Sequence, residues 1–132
     1  MTINAYKKIV MIDDDRSFNL ISTFSLKKML PEIDVVTFTE PENGIDYIGT
    51  PTIPPSDTVL FLDINMPELS GWDVLERLTT LEPDMEGSLE VYILSSSINP
   101  SDRERAEAHP LVSGYIRKPL TKQVINEIFP AA

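Results

Sequence analysis

The chain has 132 residues, enough for one domain of ordinary size, and its 42% hydrophobic content marks an ordinary globular protein rather than a disordered one. With 21 acidic against 11 basic residues the net charge is −10, which argues against direct binding of nucleic acid, whose phosphates call for a basic surface. There is no cysteine, so disulfides, thiolate nucleophiles and cysteine-bound zinc are excluded, and no apolar run reaches membrane-spanning length.

The opening stretch MTINAYKKIVMI carries too short an apolar run for a secretory signal, so the cytoplasm is the expected compartment. KIVMI, from Lys8, reads as a first strand and ends at Asp13, Asp14 and Asp15. RSFNLISTFSLKKML follows as an amphipathic helix with Leu20, Ile21 and Phe24 on one face, and with Lys27 and Lys28 where cations suit the dipole. Asp15 reads as its start residue. VVTF, from Val35, alternates in part and predicts an edge strand. PENGIDYIG places Pro41 at a first helical position and Gly49 after the last.

TVLFL, from Thr58, is a continuous apolar run that stops at Asp63. GWDVLERLTTL then aligns Trp72, Leu75 and Leu78 as helix packing. VYIL, from Val91, runs into Ser95, Ser96 and Ser97, of which the last two read as loop hydrogen-bonders. PSDRERAEAH is polar and predicts a partly exposed helix, with His109, the sole histidine, at its C-terminal end. GYI, from Gly114, leads to Arg117, Lys118 and Pro119, and TKQVINEIF closes as a helix capped by Thr121. TPTIPPSD and EPDMEGS are connections too short to link domains. Five alternations of strand and helix predict a doubly wound α/β fold with a five-stranded parallel sheet, helices on both faces, as one domain over 1–132.

Open parallel sheets bind ligands beyond the carboxyl ends of their strands. Read there, the chain offers Asp13 and Asp14, then Asp63, Ser95 and Lys118. Two carboxylates ~4 Å apart repel by about 4 kcal/mol at an effective dielectric of 20, so such a cluster calls for a cation. An oxygen-only site with few carboxylates suits Mg2+. With the metal on one side and the Lys118 ammonium on the other, Asp63 is placed to attack phosphorus and become an aspartyl phosphate.

VMIDDD, LFLDINMPELSGWDVL, VYILSSS and GYIRKPL, in that order across essentially the whole chain, resemble the receiver domains of two-component response regulators. The resemblance implies a flavodoxin-like strand order of 2-1-3-4-5. It implies Mg2+ bound directly by Asp14, Asp63 and the backbone carbonyl of Asn65, with Asp13 acting through a water. Ser95 takes the switch hydroxyl position, Tyr115 the switch aromatic and Lys118 the family's lysine, and the peptide bond before Pro119 is expected to be cis. The donor is a phosphohistidine on a sensor histidine kinase or histidine phosphotransfer protein. The consequence is a rearrangement of the fourth helix, fifth strand and fifth helix that alters contacts with a downstream protein or with a second copy in a phosphorylation-dependent homodimer. Two features depart from the pattern: Ser rather than Thr at position 95 implies a looser switch, and the closing helix is short.

A stand-alone phosphoacceptor, not an enzyme, is therefore expected. A phosphatase of the haloacid dehalogenase type would need a second Asp at position 65, which is Asn. A calcium loop starting at Asp13 would need Gly at position 18, which is Phe. A pseudo-receiver that binds partners without being phosphorylated is the alternative.

Overall fold

The apolar runs pair into one parallel sheet of β1 (Lys8–Ile12), β2 (Asp34–Phe38), β3 (Thr58–Asp63), β4 (Glu90–Ser95) and β5 (Val112–Arg117), in the order β2-β1-β3-β4-β5. Between and after them come α1 (Arg16–Met29), α2 (Pro41–Ile48), α3 (Gly71–Leu81), α4 (Pro100–Ala108) and α5 (Lys122–Ile128). The computed structural model describes residues 8–49, 58–81, 89–96 and 99–129. The connections TPTIPPSD and EPDMEGS, and Ser97, lie outside the described residues.

Burial explains the architecture. Ile9, Val10, Met11 and Ile12 of β1 and Val59, Leu60, Phe61 and Leu62 of β3 are all completely buried, because a central parallel strand is covered on both faces. Alternation divides these side chains between two cores. Val10, Ile12, Leu60, Leu62, Val91 and Ile93 meet Ile45 of α2, Val74, Leu75 and Leu78 of α3, and Ala106 of α4. Ile9, Met11, Val59, Phe61, Leu94 and Ile116 meet Leu26 of α1 and Ile125 of α5. Each large aliphatic side chain so buried contributes about 1.5–3 kcal/mol. Trp72 is half-buried against the first core, with Arg105 lying 4.4 Å over its ring.

The helix ends match the sequence. Asp15 caps α1, its carboxylate accepting from the Phe18 N–H; Thr121 caps α5, accepting from Val124; Pro41 opens α2; and His109 is the C-cap of α4. In α4 only Ala106 is buried.

Two expectations need correction. Leu20, Ile21 and Phe24 share a face, but it points away from the sheet, with exposures of 72%, 66% and 71%. At ~100° per residue, Phe18, Ser22, Leu26 and Met29 form the opposite stripe, and it is this stripe, with Asn19, that meets the core. Strand β5 is also longer than GYI. It begins at Val112, and an irregularity in its register with β4 between Val91 and Tyr92 lets Ser113 be skipped.

Candidate functional site

The C-terminal ends of β1, β3 and β4 and the segment after β5 lie along one edge of the sheet, and the polar residues of the sequence collect there. Asp13 follows β1 and extends its ladder, donating its backbone N–H to Phe38 O at 3.0 Å. Its carboxylate is buried: Oδ1 accepts the Asp15 N–H at 2.9 Å. Oδ2 lies 2.7 Å from Lys118 Nζ, in ion-pair contact but outside hydrogen-bond geometry, which leaves this oxygen otherwise unpartnered. Asp63, the last residue of β3, is 3% exposed. Its Oδ1 accepts the Asn65 N–H at 3.2 Å and lies 3.8 Å from Lys118 Nζ. Asp14 is exposed, and carboxylate oxygens of Asp13, Asp14 and Asp63 all lie within 4.8 Å of one another.

This crowding has an electrostatic signature. The Asp63 carboxyl is pushed up to about 6, first by burial and then by the charge of Asp13. The Asn65 N–H and the Lys118 ammonium pull it back, and Asp14 raises it further. The donor set fits a hard divalent cation: three carboxylates, all oxygen, one of them with a buried oxygen free of hydrogen bonds. Asp13, Asp14 and Asp63 are the residues that would hold it.

The remaining site residues from the sequence are placed as follows. Ser95 ends β4, fully buried and next to Leu94, the β4 partner of Asp63, and its carbonyl accepts the Lys118 N–H at 2.8 Å. That bond anchors the lysine's backbone at the edge of the sheet. The Lys118–Pro119 peptide bond is cis. Tyr115 lies on β5, half-buried against the first core, with the Arg103 guanidinium of α4 5.9 Å over its ring. Asn65 is exposed beside Asp63.

Three further residues shape the site and escaped the sequence reading. Asn19 is buried in α1 and donates its side-chain amide to the Asp13 carbonyl at 2.9 Å, which ties the helix to the loop bearing two of the carboxylates. Gly71 opens α3 directly beneath Asp63. A Cβ there would stand 2.6 Å from Asp63 O and 2.7 Å from Ile64 Cα, and its N–H donates to Ile64 O. Phe18 presents its ring to Lys118, whose Nζ lies 4.4 Å from the ring centroid. An amide or a ring in the first turn of a helix announces nothing by itself.

Comparisons with known proteins identify the family and the fold. The family model of the response regulator receiver domain matches residues 9–129. A two-component response regulator from Cytophaga hutchinsonii superposes with a TM-score of 0.82 at 28% identity, over 92% of each chain. A response regulator receiver protein from Dyadobacter fermentans gives a TM-score of 0.78 at 25% identity, over 94% of this chain and 98% of that one. A chemotaxis protein from Vibrio cholerae, 16% identical with a TM-score of 0.74 over 92% of this chain and 94% of that one, shares the fold. A search of curated proteins finds no match.

Proposed function

The chain belongs to the response regulator receiver domain family, and from that premise we propose that it is a phosphoacceptor whose reactive group is Asp63. The observation that carries the reading is the convergence, at one sheet edge, of the buried Asp63 carboxylate with Asp13, Asp14 and the Lys118 ammonium. A carboxylate crowded by two others needs compensating positive charge, and the same positive charge is what an incoming phosphoryl group requires.

In the proposed reaction an Asp63 oxygen attacks phosphorus. The P–N bond of a donor phosphohistidine breaks, and the imidazole nitrogen leaves with the bonding pair. Magnesium, held by Asp13, Asp14 and Asp63 with the Asn65 carbonyl, would supply charge neutralisation for the phosphoryl oxygens. Lys118 then exchanges its carboxylate partners for a phosphoryl oxygen, and the Ser95 hydroxyl takes another. The donor is a sensor histidine kinase or a histidine phosphotransfer protein. The exposed apolar face of Leu20, Ile21 and Phe24 supports a protein donor, because it lies on the helix whose first turn lines the site. Output passes from Ser95 through Tyr115 to α4, whose Arg103 sits over the tyrosine ring, and changes contacts with a partner protein or a second copy. Among the described residues no helix is long and apolar enough to cross a membrane.

The test is intact-protein mass after incubation with magnesium and acetyl phosphate, beside an Asp63→Asn variant. One added phosphoryl group that is base-labile, present in the wild type and missing from the variant, is the expected result. A wild type that gains none from acetyl phosphate or from a phosphorylated phosphotransfer protein would leave the pseudo-receiver reading in its place.

A further inference from the structure

The Lys118 ammonium is enclosed on three sides. Asp13 Oδ2 is at 2.7 Å, Asp63 Oδ1 at 3.8 Å, and the face of the Phe18 ring at 4.4 Å from its centroid. Only 17% of the lysine side chain is exposed. We propose that Phe18 is the positioning residue for Lys118, its ring face holding the ammonium at the mouth of the site between Asp13 and Asp63.

The ring is itself firmly placed. The Phe18 N–H is bonded to the capping carboxylate of Asp15 at 3.1 Å, and the next residue, Asn19, is tied to the Asp13 carbonyl. The ring also packs against the core beneath α1 and α5. Phe18 is thus fixed to the same loop that carries Asp13 and Asp14, while Lys118 arrives from the far end of the chain.

The chemistry explains why a ring serves here. The π-face is negative, so it attracts an ammonium ion, most strongly where water is excluded. It carries no lone pair that would compete for a metal and no formal charge that would add to the carboxylate repulsion. During phosphoryl transfer Lys118 has to leave Asp13 and follow the phosphoryl oxygens. A carboxylate partner would resist that movement, whereas a broad π-face keeps its contact as the ammonium slides across it. An aliphatic side chain of similar bulk would fill the space without holding the charge. This role rests on the reading of Asp63 as the phosphoacceptor, but the contact itself can be examined without phosphorylation.

The experiment replaces Phe18 with ring-fluorinated phenylalanines up to pentafluorophenylalanine, which keep the ring and weaken, then reverse, its negative face. Phe18→Leu, Phe18→Tyr and Phe18→Trp complete the series, and thermal unfolding checks that each variant is folded. Two quantities are read. The first is the rate of phosphoryl gain from acetyl phosphate with magnesium. It is expected to fall progressively with fluorination, by between about twofold and about thirtyfold in total, to fall similarly in Phe18→Leu, and to be kept in the Tyr and Trp variants. The second is the proton shift of the Lys118 ε-methylene by NMR, expected upfield in the wild type because it lies over a ring, and moving back toward the free-lysine position in the pentafluoro variant. A fluorinated series that reacts at the wild-type rate overturns the proposal, since packing alone is then sufficient. If the wild type gains no phosphoryl group, the phosphoacceptor reading fails separately, and the NMR shift decides. A shift that relaxes on fluorination supports the hold of the ring on the ammonium; one that is absent or unchanged overturns it.

Discussion

The Lys118 ammonium pairs with Asp13 rather than with Asp63, at 2.7 Å against 3.8 Å. Asp13 is the more deeply buried of the pair, with 1% exposure, so the lysine has a structural duty before any chemistry begins. Removing one partner of a buried ion pair leaves an uncompensated charge, at a cost of about 3 kcal/mol. Lys118→Met is therefore expected to lower stability by that amount in urea unfolding at neutral pH, without metal. Combining it with Asp13→Asn should recover most of the loss, because the stranded charge is then gone. A double variant no more stable than Lys118→Met alone would show that the lysine stabilises the fold through something other than Asp13.

The raised Asp63 carboxyl makes a prediction with a definite sign. Its ordinary value is 3.8, and burial followed by the Asp13 charge pushes it up to about 6. Between those values the folded protein holds a proton that the unfolded chain has released, so stability falls as pH rises through the window. Above it the deficit is complete, at up to about 3 kcal/mol. Asp63→Asn removes the charge and keeps the shape. In chelator, the variant should exceed the wild type in stability at pH 7.5, with the difference vanishing below pH 4. Unfolding curves at the two pH values provide the check.

Two glycines separate packing from function. A Cβ at Gly71 meets only the β3-end backbone and Ile64 at its closest, whereas a Cβ at Gly44 meets the Ile12 side chain at 2.5 and 2.6 Å. Both Ala variants should be destabilised by about 1–3 kcal/mol through overpacking. Only Gly71→Ala has to displace Asp63 and the Asn65 N–H that orients it, so it should also slow phosphoryl gain at least ~tenfold, the equivalent of about 1.4 kcal/mol. Gly44→Ala should react at close to the wild-type rate once folded. Equal rates in the two variants would show that the Asp63 loop tolerates the shift.

Magnesium should stabilise the protein by relieving the carboxylate cluster. At ten times its dissociation constant the expected gain is about 1.4 kcal/mol. Asp14 is exposed, so Asp14→Asn should change metal-free stability by no more than about 0.5 kcal/mol while weakening the magnesium response. Titration calorimetry and unfolding with and without chelator measure both effects. An undiminished response in the variant would remove Asp14 from the ligand set.

Much of this was legible because the signals are local. Each central strand is an unbroken run of β-branched or large apolar residues, and each such run ends in a residue with chemistry: Asp13, Asp63 or Ser95. Reading strand ends was enough to assemble the site's charged residues. The α1 face was misread for a reason equally physical. Its inward stripe includes Ser22, and the buried Asn19 bonds Asp13, so the side facing the protein is partly polar and the hydropathy pattern points outward. The contact of Phe18 with Lys118 joins the two ends of the chain and has no local pattern at all.

That outward face yields the last prediction. Leu20, Ile21 and Phe24 are more exposed than large apolar side chains on a helix normally are, and no described element covers them. Since the core does not use them, Leu20→Ser with Phe24→Ser should leave stability within about 0.5 kcal/mol of the wild type. A donor protein that docks on α1 would bury these side chains, and truncating an aromatic anchor at such an interface costs more than about 1.4 kcal/mol, or tenfold. Transfer from a phosphorylated phosphotransfer protein is therefore expected to fall at least ~tenfold, with gain from acetyl phosphate unchanged, because a small donor needs the pocket and not the face. A parallel loss with both donors would mean that the substitutions reach the site itself, and no loss with either would free the face for a different partner.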